Sequence, residues 1–157
     1  MKSLHLIKYS LLVVFLVIFA CSDKPPREDS QTSNTQSNVD PNDWTTNKGI
    51  GPITTVSFAA EIDGGLATEG ENIFTAKCSA CHKPNKKYIG PAMADIFDRR
   101  TPEWTMNMIL NPDGMVKDDP IAKQLLMEYN GTPMANQNLT EEEARAIVEY
   151  FRTLKSE

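Results

Sequence analysis

The stretch from Thr75 to Pro84, TAKCSACHKP, contains the residues best suited to chemistry in this chain. It holds two of the three cysteines and one of the two histidines. Cys78 and Cys81 lie three positions apart, and His82 follows directly. Two thiols and an imidazole at this spacing suit three kinds of site: a metal centre, a disulfide, or covalent haem attachment with an axial histidine.

The first two kinds of site fit poorly. Structural zinc needs four ligands, usually as two pairs. Beyond the motif the chain has only Cys21, which is distant, and His5, which lies in the N-terminal segment predicted below to be removed. A thiol–disulfide exchange site would follow a buried strand and begin a helix, whereas these cysteines follow a helical pattern. A disulfide across two residues closes too small a loop to constrain the unfolded chain much, and it leaves His82 unexplained. The motif therefore favours haem attachment, with thioethers at both cysteines and His82 on the iron.

The N-terminus has the pattern of an export signal. Lys2 and Lys8 precede an unbroken apolar run of ten residues, 11–20, which is too short to span a hydrocarbon core of about 30 Å as a helix. Residues 1–20 are therefore predicted to be a signal peptide. Ala20 before Cys21 resembles the lipobox of bacterial lipoproteins, although Phe19 is larger than usual there. We expect lipidation of Cys21; ordinary cleavage and an uncleaved short anchor are the alternatives.

Residues 21–43 predict a disordered, lipid-anchored tether, because they contain no aromatic residue and one strong apolar residue, Val39. Loss of residues 1–20 removes two lysines and no acid, so the net charge changes from −5 to −7. An acidic chain of this kind is not expected to bind nucleic acid. The folded domain is predicted to begin at Trp44 and to cover residues 44–157.

The rest of the chain predicts helices joined by loops rich in Pro and Gly, which is an all-α fold. Residues 53–58 either form a short strand or pack irregularly. Each predicted helix has a recognisable start or end signal. The first helix starts after Asp63 and runs into Cys78, and the second starts at Thr101-Pro102 and ends at Asn111-Pro112. The third starts at Asp119-Pro120 and ends at Asn130-Gly131, and the last starts with a capping box from Thr140 to Glu143.

Four stretches occur together and in a fixed order. They are GENIF (70–74), CSACH (78–82), GPAMADIFDRRT (90–101) and GTPMANQNLTEEEARAIVEYFRTL (131–154). In this combination the chain resembles class I monohaem cytochromes c, over roughly Leu66 to Leu154. The resemblance implies a small helical domain, the cytochrome c fold, wrapped around one covalently attached haem c.

The resemblance also implies roles for seven residues near the haem. The implied roles are thioether attachment at Cys78 and Cys81, axial ligation by His82 and Met134, a carbonyl from Pro91 to the His82 Nδ1–H, packing on the haem edge by Met93, and a cation near a propionate from Arg99. Trp104 and Tyr88 are expected to be partly buried core aromatics; the alternative is that they hydrogen-bond propionates, because a buried indole N–H or phenol O–H needs a partner.

The distal ligand is also limited by the residues themselves. Histidine is excluded because His5 leaves with the signal peptide and His82 is proximal, so methionine remains. Met115 and Met134 are predicted to lie in loops. Of the other methionines, Met93 lies close to His82 in sequence and so near the proximal side of the haem. The remaining three lie in predicted helices: Met106, Met108 and Met127. Met134 lies shortly before a capped helix and is the expected ligand, with Met115 as the alternative.

The function implied is one-electron transfer and not catalysis, although the chain could be a subunit of a larger redox enzyme. The expected partners are a quinol-oxidising complex as donor and a terminal oxidase or reductase as acceptor. The expected location is the periplasmic face of a bacterial membrane, with a monomeric domain held by its lipid anchor. The alternative function is a gas-binding sensor or small haem enzyme with an open distal site.

Overall fold

The computed structural model describes residues 43–156. The predicted signal peptide, the lipidated Cys21 and nearly all of the predicted tether lie outside these residues. The described elements are α1 (Gly64–Lys77), a 3₁₀ turn (Ile96–Asp98), α2 (Pro102–Leu110), α3 (Pro112–Asp118), α4 (Pro120–Glu128) and α5 (Glu141–Thr153). Within 43–156 there is no strand, which confirms the all-α class, and residues 53–58 are irregular. No helix in this part of the chain is long and apolar enough to cross a membrane.

Helix starts lie where the capping residues predict them. The Asp63 carboxylate accepts hydrogen bonds from the Gly65 and Leu66 N–H groups, both at 3.0 Å. At the start of α5, Thr140 Oγ accepts from the Glu143 N–H at 3.2 Å, and the Glu143 carboxylate accepts from the Thr140 N–H at 2.8 Å. Each contact satisfies an N–H group that has no partner within its own helix.

The segment after α2 differs from its prediction as a loop. Residues 112–118 form α3, whose first turn has Pro112 and whose N-cap is Asn111, the residue that also ends α2. Met115 lies in this helix with no exposed surface, and its sulfur accepts the Ile50 N–H at 2.9 Å. The prediction that Met115 lies in a loop is therefore wrong.

Helices α1 and α5 cross at very close range. A Cβ on Gly70 would lie 2.0 Å from the Ala146 carbonyl oxygen, so the crossing needs a glycine. Beside it, the Phe74 ring lies 5.6 Å from the Tyr150 ring and 5.7 Å from the Phe151 ring. These distances are typical of favourable aromatic pairs. This crossing fixes the end of α1, and Cys78 is the C-cap residue of that helix.

Residues 43–62, here called the N-terminal strap, are irregular but are anchored by side chains. Asn107, which is 1% exposed, accepts the Ile53 N–H at 2.9 Å and donates to the Lys48 and Ile53 carbonyls at 2.8 and 2.9 Å. An amide that satisfies backbone groups on both sides of a bend replaces the hydrogen bonds that a strand would have supplied. The strap is thereby fixed against α2.

A buried carboxylate joins α5 to the N-cap residue of α1. Glu149 is 1% exposed, accepts the Asp63 N–H at 3.0 Å, and is paired with Arg145 at 2.6 Å and with Arg152. Burial raises the pKa of Glu149, but the bond from Asp63 and the two arginines outweigh it and lower the pKa overall. The carboxylate therefore stays charged while buried.

Candidate haem-binding site

The cysteine motif forms a tight turn directly after α1. The Cys81 and His82 N–H groups both donate to the Cys78 carbonyl, at 3.0 and 2.9 Å. This turn brings Cys78, Cys81 and His82 to the wall of one cavity. Cys78 is half-buried and Cys81 is exposed, and neither forms a disulfide. The arrangement presents two thiols and one imidazole to the same space.

The imidazole of His82 is held in one orientation. Its Nδ1 lies 3.1 Å from the Pro91 carbonyl oxygen, which assigns the proton to Nδ1 and leaves the Nε2 lone pair available to a metal. The ring lies so close to Gly90 that a Cβ there would be 2.5 Å from His82 Cε1. Burial lowers the pKa of His82, against the opposing effect of the Pro91 bond, so the imidazole is neutral, as ligation requires.

The thiol of Cys78 is not activated for exchange chemistry. Burial, together with the neighbouring Cys81, raises the pKa of Cys78 to about 11. Cysteines that exchange disulfides have lowered pKa values, because the thiolate is the attacking species. In residues 43–156, no three His, Cys, Asp or Glu side chains are grouped as a metal site. The raised pKa of Cys78 agrees with the choice against disulfide exchange.

The cavity is mainly apolar and is lined by residues from all five helices and from the loops between them. Its wall includes both His82 and Met134, whereas Met115 is not part of it. Its apolar lining includes Phe74, Met93, Ile96, Met108, Ile109, Val116, Leu125, Ile147 and Phe151. The donor set, two thiols, an imidazole and a thioether around an apolar space, fits a covalently attached iron porphyrin.

The loop that carries Met134 is fixed at both ends. After α4, the Gly131 N–H donates to the Leu126 carbonyl at 2.7 Å, with Asn130 and Gly131 at positive φ of 59° and 71°. The capping box at Thr140 fixes the far end. Met134 itself is half-buried, so its thioether lies at the cavity wall without being enclosed in the core.

Other predicted site residues have mixed outcomes. Met93 is 7% exposed and lines the cavity, as expected. Arg99 also lines it, but its guanidinium donates to the Ala94 and Asp95 carbonyls at 2.9 and 3.0 Å and to the Ala92 carbonyl. This guanidinium is occupied mainly in bracing its own loop.

The two aromatic residues Trp104 and Tyr88 have different surroundings. Trp104 is 4% exposed and its indole N–H donates to Asp119 Oδ1 at 3.1 Å, which agrees with a core aromatic and not with the propionate alternative. Tyr88 is 55% exposed and lies outside the cavity wall, with the Lys83 ammonium 5.1 Å from its ring centre. No local sequence signal marks Asp119 as an acceptor for the Trp104 indole, because the two residues lie fifteen positions apart.

Arg100 is a cavity-lining residue to which the sequence analysis assigned no role. It lines the cavity, and its Nε is buried without a hydrogen-bond partner among the described residues. A buried donor without a partner is costly unless something accepts from it. The carboxylates of a haem would supply such an acceptor, so this residue also fits the proposed cofactor.

Comparison with known proteins agrees with this geometry. A family model described as cytochrome c matches residues 67–155. The chain belongs to the cytochrome c family. Cytochrome c-551 from Stutzerimonas stutzeri is 28% identical over 109 residues, which is 66% of this chain and 94% of the relative. Cytochrome c-551 from Ectopseudomonas mendocina is 32% identical over 91 residues, 55% of this chain and 98% of the relative.

A solved structure gives the same result for the fold. The cytochrome c from Rhodothermus marinus is 48% identical, with a TM-score of 0.64, covering 66% of this chain and 88% of its own. Family and fold together confirm a class I monohaem cytochrome c. Its cofactor is one covalently attached haem c. This cytochrome c is a haem-based electron carrier that exchanges electrons with redox partners.

Proposed function

We propose that this cytochrome c carries one electron at a time on a haem attached through Cys78 and Cys81, with His82 and Met134 as axial ligands. The observation that supports this most directly is that His82 and Met134 line one apolar cavity, while the Pro91 carbonyl fixes the His82 tautomer. The bound haem supplies an iron that alternates between the ferric and ferrous states.

The residues of the chain set how readily that iron is reduced. A thioether from Met134 is a soft ligand that favours ferrous iron and raises the reduction potential relative to a second histidine. The Pro91 bond makes the His82 imidazole a better electron donor to the metal, which favours ferric iron. The apolar wall excludes water, which further disfavours the extra positive charge of the ferric state.

The ligand assignment is tested by two methionine variants. Met134→Ala should retain covalent haem, detected by haem staining of a denaturing gel, but lose the far-red absorption of sulfur-ligated ferric haem and fall in midpoint potential. Met115→Ala is the matched control. It should keep that absorption and lose about 2–5 kcal/mol of stability, because it empties a fully buried site. Loss of the absorption in Met115→Ala instead of Met134→Ala would show that the assignment is wrong.

The same spectra test the alternative function. A gas-binding sensor or small haem enzyme needs an open distal position, so its ferric haem would be high-spin and its ferrous haem would bind CO rapidly. An electron carrier ligated on both sides should be low-spin in both states and bind CO slowly. The cavity wall formed by the Met134 loop favours the second outcome.

We further propose export through residues 1–20 and anchoring through lipidated Cys21, with residues 21–43 as a tether on the periplasmic face of a bacterial membrane. The support lies in the sequence pattern. Confinement at the membrane would raise the effective concentration of donor and acceptor without tight docking. Replacing Cys21 by Ala should shift the protein from the membrane to the soluble fraction, while Ser22→Ala should not.

The donor is proposed to be a quinol-oxidising complex and the acceptor a terminal oxidase or reductase, either as free partners or within one larger redox enzyme. Weak, small interfaces suit such exchange. The test is reduction of the purified haem protein by a quinol-oxidising membrane fraction, with stopped-flow spectra of its haem band. Failure of that fraction to reduce the cytochrome, while a chemical reductant succeeds, would exclude this donor.

A further inference from the structure

Asp95 adopts a backbone conformation that glycine would adopt without steric cost. Its φ is 51° and its ψ is 31°, in the left-handed region. An aspartate tolerates this region when its short side chain makes a local hydrogen bond. Within residues 95–98, however, the Asp95 side chain bonds no N–H group of the 3₁₀ turn that it precedes. The local structure therefore does not explain an aspartate at this position, and its carboxylate contacts a segment distant in sequence.

That segment is the chain directly after α5, residues 154–156. Oδ2 of Asp95 accepts the Ser156 N–H at 2.9 Å and also accepts the Ser156 hydroxyl. Its Oδ1 lies 3.5 Å from the Lys155 ammonium, and the Asp95 N–H donates to the Leu154 carbonyl at 3.4 Å. The side-chain and backbone bonds from Ser156 lower the pKa of Asp95, so its carboxylate is an ionised acceptor at neutral pH.

Asp95 belongs to the Pro91 loop, residues 90–99, which is braced from within. The Arg99 guanidinium donates to the Ala94 and Asp95 carbonyls at 2.9 and 3.0 Å and to the Ala92 carbonyl. These carbonyls lie one to four positions after Pro91. Because one planar group binds all of them, the loop is expected to move as a unit, and a displacement at Asp95 is passed on to Pro91.

The Pro91 loop also contacts the chain directly after His82. The Met93 and Ala94 N–H groups donate to the Pro84 carbonyl at 3.0 and 2.8 Å. On the same side, the Pro91 carbonyl oxygen lies 3.1 Å from His82 Nδ1. A hydrogen bond weakens steeply when its angle or distance departs from the optimum. The position of the loop therefore decides how well this carbonyl binds the imidazole N–H.

Residues 154–156 give the loop a fixed reference. They follow α5 directly, and α5 crosses α1 at a distance that admits only glycine. Helix α1 has Cys78 as its C-cap residue. His82 is thus held to one pair of helices at two points. One is the turn at Cys78, and the other runs through Asp95 and the Pro91 carbonyl.

We propose that Asp95 is a positioning residue for electron transfer, whose bonds to Ser156 hold the Pro91 carbonyl against His82 and thereby set the reduction potential of the iron. The proposal rests on the proposed haem site, although Asp95 is not part of the cavity wall that residues 43–156 form. A carbonyl that accepts from Nδ1–H makes the imidazole a stronger donor, which favours ferric iron. Release of Asp95 should therefore weaken that donor and favour ferrous iron.

The experiment measures the midpoint potential of Asp95→Gly and Ser156→Pro at pH 7 in the full-length haem-loaded protein. Asp95→Gly keeps the left-handed backbone and loses the carboxylate, whereas Ser156→Pro removes both the N–H and the hydroxyl donor. Direct partners of a ligating histidine typically change affinity or activity by about 10- to 100-fold. Asp95 acts one contact further away, so each variant should shift the ferrous-to-ferric ratio by about threefold toward ferrous. This is about 28 mV, at about 59 mV per tenfold change for one electron.

Asp98→Asn is the control for loss of one negative charge, because Asp98 is an exposed acid on the same loop. Asp95→Asn should match this control, since its amide oxygen still accepts from Ser156 and asparagine tolerates positive φ. The double variant that combines Asp95→Gly with Ser156→Pro should shift no further than either single variant, because both remove the same contact. The proposal is overturned if Asp95→Gly shifts the potential no more than Asp98→Asn, or if the two single shifts add.

A second measurement separates positioning from a general loss of stability. Ferrous haem ligated on both sides is diamagnetic, so the His82 Nδ1–H proton can be observed by NMR. Its signal should move upfield in Asp95→Gly and in Ser156→Pro, because the bond to the Pro91 carbonyl lengthens. It should stay in place in Asn107→Ala, which loosens the strap only. An unmoved signal in Asp95→Gly overturns the proposal, and this variant decides if Ser156→Pro fails to fold.

The outcome is separable from that of the proposed function. If the unmodified protein lacks covalent haem or its sulfur-ligated spectrum, the proposed function fails. If the unmodified protein has both and Asp95→Gly leaves the potential and the His82 signal unchanged, the proposal for Asp95 fails alone.

Discussion

The crossing of α1 and α5 predicts that one methyl group at Gly70 will destabilise the whole domain. In Gly70→Ala the added Cβ would lie 2.0 Å from the Ala146 carbonyl oxygen and 2.4 Å from its carbon, where ordinary contacts are 3.4–4 Å. The obstacle is helix backbone, which cannot rotate away as a side chain can. The two helices must therefore separate by about 1.4 Å at this point.

The size of the effect follows from two opposing terms. Forcing extra volume into a packed core costs about 1–3 kcal/mol, and a backbone obstacle favours the upper end. Replacing a helical glycine by alanine returns about 1 kcal/mol. We expect a net loss of about 2 kcal/mol, or a melting temperature about 8 °C lower for a domain of this size.

The matched control is Gly64→Ala, at the start of the same helix, where an added Cβ would meet nothing within 4 Å. It should change stability by less than about 0.5 kcal/mol. Both variants are compared by guanidinium unfolding of the haem-loaded protein, followed by helical circular dichroism and haem absorption. If the two variants unfold within about 0.5 kcal/mol of each other, the close crossing does not constrain this position.

Three further predictions concern Glu149, Asn107 and Gly90. The folded pKa of Glu149 is lowered from 4.5, so the ionised side chain stabilises the fold above pH 4.5, and this stabilisation is lost as the pH falls through the folded pKa. The free energy of unfolding of Glu149→Gln should therefore be about 2 kcal/mol lower than that of the unmodified protein at pH 7, and the difference should vanish in acid. A difference that stays constant with pH would contradict this prediction. Asn107→Ala should cost about 2–3 kcal/mol and expose the strap to limited proteolysis, because three backbone groups, two of them buried, lose their partner. An unchanged cleavage rate would show that the strap is held elsewhere. Gly90→Ala should displace the His82 ring, 2.5 Å from the new Cβ, and shift the midpoint potential, whereas Gly65→Ala should leave it unchanged.

The helix starts were predictable from sequence because caps are local. Asp63, Thr101, Asp119 and Thr140 each accept from an N–H two or three positions later, so their signals lie within one short window. The haem motif was predictable from its own residues and spacing, which are also local, whereas the Pro91 contact was predicted from resemblance to a known family. The prediction of a helix ending at Asn111 is confirmed.

The features that escaped prediction depend on contacts distant in sequence. Asn107 contacts the strap across 54 to 59 positions, and Glu149 accepts from Asp63 across 86. A glutamate in an amphipathic helix normally faces solvent, but Glu149 is 1% exposed. Arg99 and Arg100 are a similar case. The sequence alone does not show which of two adjacent arginines is bound to backbone carbonyls, because that depends on the fold of the loop around them.

The junctions between α2, α3 and α4 have a consequence for engineering this cytochrome. Asn111 ends α2 and begins α3, and Asp119 ends α3 and begins α4, so no spare residue separates the three helices. If one residue were inserted at such a junction, a single residue could no longer be both the C-cap of one helix and the N-cap of the next. The following helix would also rotate relative to the cavity, by about 100° if the inserted residue were helical. Probes, tags or fused domains should therefore be placed before the strap, where length can change without moving the cavity wall.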